Sequence, residues 1–283
     1  MTDQKRKRFC GKKTLLLPLL LAGLTLLAGA GAPKNDYGVF TGLGPLDTLD
    51  TLKNYRTVVI DALHFSNYDI ERLHDAGVET VYGALSIGIL EENRPYYNDF
   101  ADKALDACSD WSMTRWMDVE DPDWQVMIVD ELAWSMVERG YDGFVIRDLE
   151  VYDQYPDDAV YDALRLMLYR LKDTYHLPVI LEGGETFLAR ALATAGDETL
   201  FDGVGRVGVF TLIDGDKNLY ALQDPAVTEA QLLSLAALKE KGYEVYLTEF
   251  AGSAETITRV QDACARNGYH VFFSGDQNFT RAA

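Results

Sequence analysis

The sequence predicts an α/β protein, a single (β/α)8 barrel of the TIM class behind an N-terminal signal peptide. Three observations carry this expectation. Short β-branched or aromatic runs alternate with stretches of helical periodicity along roughly 220 residues. Eight such runs occur, the number that a closed barrel needs. No Gly-x-Gly-x-x-Gly follows the first run and opens a helix, which argues against a doubly wound open sheet.

The leader comes first in the chain. Residues 5–13 carry six basic side chains (Lys5, Arg6, Lys7, Arg8, Lys12 and Lys13), and residues 15–27 follow without a charge. Both Ala28-Gly29-Ala30 and Ala30-Gly31-Ala32 fit a small-x-small cleavage site. Pro33 would stand just after the second cut, a poor position for the peptidase, so cleavage after Ala30 is expected. The apolar run is short of the roughly 20 residues of a spanning helix. The expected product is therefore a secreted or extracytoplasmic domain over 31–283, with an uncleaved anchor as the alternative. No cysteine follows the apolar run, which argues against lipid attachment.

The full chain has 283 residues, with 45 acidic side chains against 26 basic ones, a formal charge of −19. Loss of residues 1–30 removes those six bases and Asp3, leaving twenty bases against forty-four acids, a charge of −24. That balance excludes a general nucleic-acid binder, because counterion release needs a basic face. A hydrophobic content of 48% excludes a disordered chain. Three cysteines exclude a disulfide scaffold; Cys10 leaves with the leader, and Cys108 and Cys264 read as two buried thiols, with a disulfide between them the alternative in an exporting compartment.

Strands are expected over 57–63, 78–85, 114–119, 143–147, 178–181, 204–210, 244–248 and 269–273. Helical periodicity is clearest over 123–139, 157–175, 228–241 and 253–267. In the first helix Trp124, Ile128, Leu132 and Met136 recur every fourth residue and predict one buried stripe. Asp121 suits its N-cap, Pro122 its first turn and Gly140 its stop.

Barrel active sites occupy the C-terminal ends of the strands. Those ends carry Asp61, Ser86, Glu91, Trp116, Asp118, Arg147, Asp148, Glu150, Glu182 and Glu249, flanked by Trp111, Trp124, Tyr96, Tyr97, Tyr152 and Tyr155. Paired carboxyls beside aromatic platforms suit glycosidic cleavage, in which one acid protonates the leaving oxygen and the other attacks or activates water. In a chain this acidic, carboxylates at loop positions also arise without a role. His64, His74, His176 and His270 show no zinc-binding spacing. Asp153, Asp157 and Asp158 leave a calcium site open, without EF-hand spacing. No metal is expected.

A series of short segments runs from Tyr37-Gly-Val-Phe40 to Phe273: Val58-Val-Ile-Asp61, Leu85-Ser-Ile-Gly88 with Glu91, and Arg94-Pro-Tyr-Tyr97. It continues through Trp116-Met-Asp-Val119, Trp124-Gln125, Gly140-Tyr-Asp-Gly-Phe144, Val151-Tyr152, Gly183-Gly184 and Asp202-Gly-Val204. In their order and spacing, since no single motif is specific, these resemble the endo-α-1,4-polygalactosaminidase-like barrels of glycoside hydrolase family 114. The resemblance implies a secreted enzyme that cuts α-1,4-linked galactosamine polymers of exopolysaccharide, without a cofactor. The implied partner is a cationic amino-sugar polysaccharide, with no membrane contact after signal cleavage. A monomer is the default.

The departures fall on acids. The resemblance places an acid at the end of the fourth strand and another three positions later, where this chain has Arg147 and Glu150. It places a glutamate on the sixth strand at Val207, an asparagine at Glu182 and, often, an acid at Thr114. Valine can move no proton, and arginine stays charged at neutral pH. A one-residue shift would bring Asp148 into use, although strand alternation aims it to the other side unless a bulge intervenes. Two readings follow. In one, Asp148 or Glu150 pairs with Glu182 as a relocated catalytic pair, with Asp61, Ser86, Glu91, Trp116, Asp118, Arg147, Tyr152 and Glu249 binding substrate. In the other, the barrel binds amino-sugar polysaccharide without cleaving it.

Overall fold

A computed structural model describes residues 34–45, 48–108, 113–194, 196–214, 219–250 and 252–283. The expected signal peptide, and Trp111, lie outside the described residues. Eight parallel strands form one sheet in chain order: β1 (Asn35–Phe40), β2 (Tyr55–Asp61), β3 (Thr80–Ser86), β4 (Gly143–Arg147), β5 (Val179–Glu182), β6 (Gly203–Val207), β7 (Glu244–Phe250) and β8 (His270–Ser274). Sequential neighbours joined by helical crossovers in a parallel sheet are the (β/α)8 topology.

Two expectations about the strands need correction. The run at 114–119 is not a barrel strand. Thr114–Met117 lies between Ile89–Glu91 and Ala104–Ala107 in a small antiparallel sheet inserted after β3. The true first strand, β1, was not among the expected eight, because six residues interrupted by Gly38 make a weak period-2 signal. The count of eight therefore held through one omission and one extra strand.

Each of the first seven strands is followed by a helix that leads to the next strand: α1 (Leu49–Leu52), α2 (Asn67–Asp75), α3 (122–139), α4 (Asp158–Tyr175), α5 (Glu185–Ala193), α6 (Pro225–Glu240) and α7 (Ala254–Asn267). The single-turn helices Tyr97–Phe100 and Val151–Gln154 lie in the loops after β3 and β4. In α3 the segments Pro122–Val126 and Trp134–Arg139 are joined by a π-helical stretch, Met127–Ala133. The Trp124, Ile128, Leu132 and Met136 stripe is buried as the spacing predicts. Asp121 caps α3 by accepting from the amides of Asp123 (2.9 Å) and Trp124 (3.0 Å), and Gly140 ends it with φ of +92°. Asp157 caps α4 by accepting from the Ala159 amide at 2.8 Å.

The first and last strands meet through side chains. Phe40 of β1 packs on Phe272 of β8 with ring centroids 5.0 Å apart, and Tyr37 on Tyr246 of β7 at the same distance. His270 bonds Asp36 across the seam. Cys108 and Cys264 are free and buried. No helix among the described residues is long and apolar enough to cross a membrane.

Candidate active site

Register brings the cleft residues to one level. Ser86 pairs with Arg147 across β3 and β4, and Glu182 pairs with Gly205 across β5 and β6. Ile146 stands opposite Leu181, so Arg147 and Glu182 are the next positions on adjacent strands. Their side chains meet in an ion pair, Nε to Oε1 at 2.9 Å. Burial pulls the Arg147 guanidinium down, but Glu182, Asp148 and Glu91 outweigh it and raise its pKa.

Two chambers open at this end of the barrel. One, of about 500 Å³, is lined by Trp116, Arg147, Asp148, Glu150, Asp153, Glu182, Glu185, Arg206 and Gln231, among others. The second, of about 430 Å³, includes Asp61, His64, Glu91, Asn93, Arg94, Gln277 and Phe279. They share Ile89, Arg147 and Asp148, so Arg147 and Asp148 form the wall between them. The first chamber has five carboxyl groups against two guanidiniums.

All three residues expected to carry catalysis line the first chamber. Alternation aims Asp148 away, yet its φ of +64° turns the chain directly after β4, and Asp148 lines both chambers. Its carbonyl also explains Gly88: a Cβ there would lie 1.9 Å from the Asp148 oxygen. Glu150 accepts a hydrogen bond from the Gly184 amide at 2.8 Å. Burial pushes the Glu150 carboxyl above the usual glutamate value, with the Gly184 amide pulling it back. A Cβ on Gly183 would sit 2.1 Å from Glu150 Oε1, and Gly183 has φ of +80°, so only glycine fits this turn.

Among the expected binding residues, Trp116 and Arg147 line the first chamber, and Asp61 and Glu91 the second. Arg94 holds the last two together, with Nη1 to Asp61 at 2.9 Å and Nε to Glu91 at 2.7 Å. Four other expected binding residues line neither chamber. Glu249 is fully buried and serves the hairpin Thr211–Asp214/Leu219–Leu222, accepting from the Thr211 hydroxyl (2.6 Å) and amide (2.9 Å) and from the Phe210 amide (3.1 Å). Burial pushes its pKa up to about 7. Tyr152 packs between Tyr161 and Phe187, and its hydroxyl accepts from Arg190 at 2.8 Å. Asp118 accepts from the Glu120 amide at 3.0 Å, and Ser86 donates to the Ile89 carbonyl at 3.1 Å.

Sequence reasoning missed Arg206, Glu185 and Gln231 in the first chamber and Arg94 in the second, and it named Asp153 only for a calcium site. Arg206 had a legible signal. A long cation between glycine and valine, in the strand Gly203-Val-Gly-Arg-Val207, needs space that only small neighbours leave. Gln231 had none, since it projects from α6 rather than from a strand end.

The fold resembles several solved structures. The glycoside hydrolase domain of PelA from Pseudomonas aeruginosa superposes with a TM-score of 0.70 at 18% identity, over 89% of this chain and 97% of that one. Aspergillus fumigatus Ega3, solved in complex with galactosamine, gives 0.64 at 13% identity, over 89% and 95%. The α-galactosidase TtGalA from Thermus thermophilus gives 0.56 at 13% identity, over 85% and 58%. At these identities the likeness shows the barrel. No curated protein matches the sequence. The family model of glycoside hydrolase family GH114 matches residues 43–180, a segment that runs from just after β1 into β5 and includes Arg147, Asp148 and Glu150, and over that segment the chain is similar to GH114.

Proposed function

We propose that the first chamber binds amino-sugar polysaccharide and hydrolyses its α-1,4-linked galactosamine units, with Glu150 as general acid and Glu182 as nucleophile or base. The observation that carries this reading is the contrast between the two carboxyls in one cavity. Burial favours the protonated form of Glu150, whereas Glu182 faces the Arg147 guanidinium at 2.9 Å. A carboxyl kept protonated by burial, with a second carboxyl in the same cavity, is the arrangement that general-acid glycoside cleavage uses. The excess of carboxyls suits the ammonium groups of a deacetylated sugar. Gln231 Oε1 adds a buried acceptor without a partner among the described residues, open to a donor on the ligand. The GH114 match over residues 43–180 and the galactosamine bound to the similarly folded Ega3 support the substrate class.

The mechanism needs only groups of this chain. Glu150 would give its proton to the leaving glycosidic oxygen as the bond to the anomeric carbon breaks. Glu182 would attack that carbon or take a proton from the attacking water, after Arg147 yields its hold on Oε1.

That last condition favours a second reading, in which the barrel is exported and holds the polysaccharide uncut. Arg147 stands where the resemblance places an acid, and it occupies the carboxylate that hydrolysis requires. The two readings part in one experiment. The barrel, residues 31–283, is incubated with partially deacetylated α-1,4-galactosamine oligomers, and new reducing ends are counted. Glu150→Gln and Glu182→Gln are each expected to lower the rate by about a hundredfold or more. Cleavage that survives both substitutions would reject this pair. Binding without cleavage would establish the second reading, and no binding at all would remove the amino-sugar assignment.

A further inference from the structure

Arg206 is a buried guanidinium that the hydrolytic chemistry does not itself require. It lies on β6 one residue before Val207, with 7% of its surface exposed, and borders the first chamber. Burial lowers its pKa, with Glu185, Glu150 and Glu182 acting in the opposite direction. A charge kept in such a place needs fixed partners. It has three: Nη1 donates to the carbonyls of Gly205 at 2.7 Å and Gly183 at 3.3 Å, and Nε pairs with Glu185 Oε1 at 2.9 Å.

Two of these partners bracket one turn. Gly183 and Gly184 are consecutive left-handed residues, with φ of +80° and +62°, between β5 and α5. Arg206 grips the carbonyl at the start of this turn and the side chain just beyond it. The amide in the middle, Gly184 N–H, points the other way and donates to Glu150 at 2.8 Å. Glycine pairs have the most conformational freedom to lose, so a turn built from them is held by its surroundings.

We propose that Arg206 is the positioning residue of this cleft: by holding Gly183 and Glu185 it fixes the Gly183–Gly184 turn, and through the Gly184 amide it fixes the carboxyl of Glu150. The inference rests on the assignment of Glu150 as the acid. The charged groups around that carboxyl are Asp148 and Asp153 from its own loop, Arg147 from β4, Glu182 and Glu185 from β5 and α5, and Arg206 from β6. Four of the other five are acids and the fifth, Arg147, is the last residue of β4, so Arg206 is the cation that approaches from the β6 side.

The test titrates Glu150 itself, by carboxyl carbon NMR on the substrate-free chain, with Glu150→Gln identifying the resonance. This readout needs no turnover. In Arg206→Met the Glu150 pKa is expected to rise by about one unit, a tenfold tighter hold on the proton. Arg206→Lys, which keeps the charge but cannot bridge Gly183 and Glu185, is expected to fall between wild type and Arg206→Met. An unchanged Glu150 titration in folded Arg206→Met, or in Arg206→Lys if Arg206→Met does not fold, would overturn the proposal. A shifted titration in a chain that shows no cleavage would instead leave the positioning role standing and reject Glu150 as a working acid.

Discussion

Arg147 decides more about this cleft than any other side chain. It separates the two chambers and engages the carboxylate that hydrolysis would use. Arg147→Asp would return an acid to the end of β4 and release Glu182. If Arg147 restrains hydrolysis, the variant is expected to release reducing ends about a hundredfold faster, the lower part of what one positioned acid–base group contributes. An equal rate would show that Arg147 is neutral to turnover. Glu249 shows the opposite case, a carboxyl retained for architecture. Its folded pKa of about 7 stands above the ordinary 4.5, so the folded chain holds a proton that the unfolded chain releases between those values. Stability from this group is complete below pH 4.5 and is lost as pH rises towards 7, by roughly 3 kcal/mol. Urea unfolding across that range is expected to show a decline in wild type that Glu249→Gln lacks. A glutamate at a strand end reads alike in either role; only its burial and its donors from Phe210 and Thr211 assign it.

At the scale of elements, helices were more legible than strands. The α3 stripe and its two caps follow from local spacing and from backbone donors within three residues, which sequence displays directly. Asp121→Ala is expected to cost about 1 kcal/mol, lowering Tm by about 2–4 °C in a domain of this size, as calorimetry would measure. Lys103, which bridges Asp121 and Asp123, would lose one of its two partners in that variant. Strand identity is less local. Thr114–Met117 has the composition of a barrel strand but finds antiparallel partners in the insertion after β3, and nothing within the segment announces that choice. The Gly183–Gly184 turn belongs between these cases. Its glycines are visible in sequence, but their requirement comes from Glu150 and Leu149, thirty-odd residues away.

For the whole molecule, closure and charge are the two properties to test. The meeting of β1 and β8 depends on Phe40, which packs against both Tyr55 and Phe272. Phe40→Ala is expected to cost about 3–5 kcal/mol, read as a lowered urea midpoint. The charge of −24 after loss of residues 1–30 would attract a polymer of ammonium-bearing sugars over long range. Raising salt from 0.1 to 1 M shortens the screening length from about 10 to 3 Å. Affinity for deacetylated oligomers is therefore expected to fall over that interval, whereas affinity for fully acetylated ones should change little. Equal salt dependence would assign the acidity to solubility alone.

By itself the sequence determined the barrel class, the family resemblance, the capped α3 and the strand ends from which Asp148, Glu150 and Glu182 project. These follow from periodicity, cap chemistry and motif order, all of which act over short stretches of chain. Tertiary structure decided which acids share a cavity. It paired Arg147 with Glu182 through strand register, turned Asp148 into the cleft with a left-handed residue, and brought Arg206 under the Gly183–Gly184 turn. It also set Glu249, Tyr152, Asp118 and Ser86 outside the walls of both chambers. The physical reason is that burial and charge pairing depend on residues far apart in the chain, so the same carboxyl becomes an acid, a counter-ion or a hairpin anchor according to what the fold sets against it.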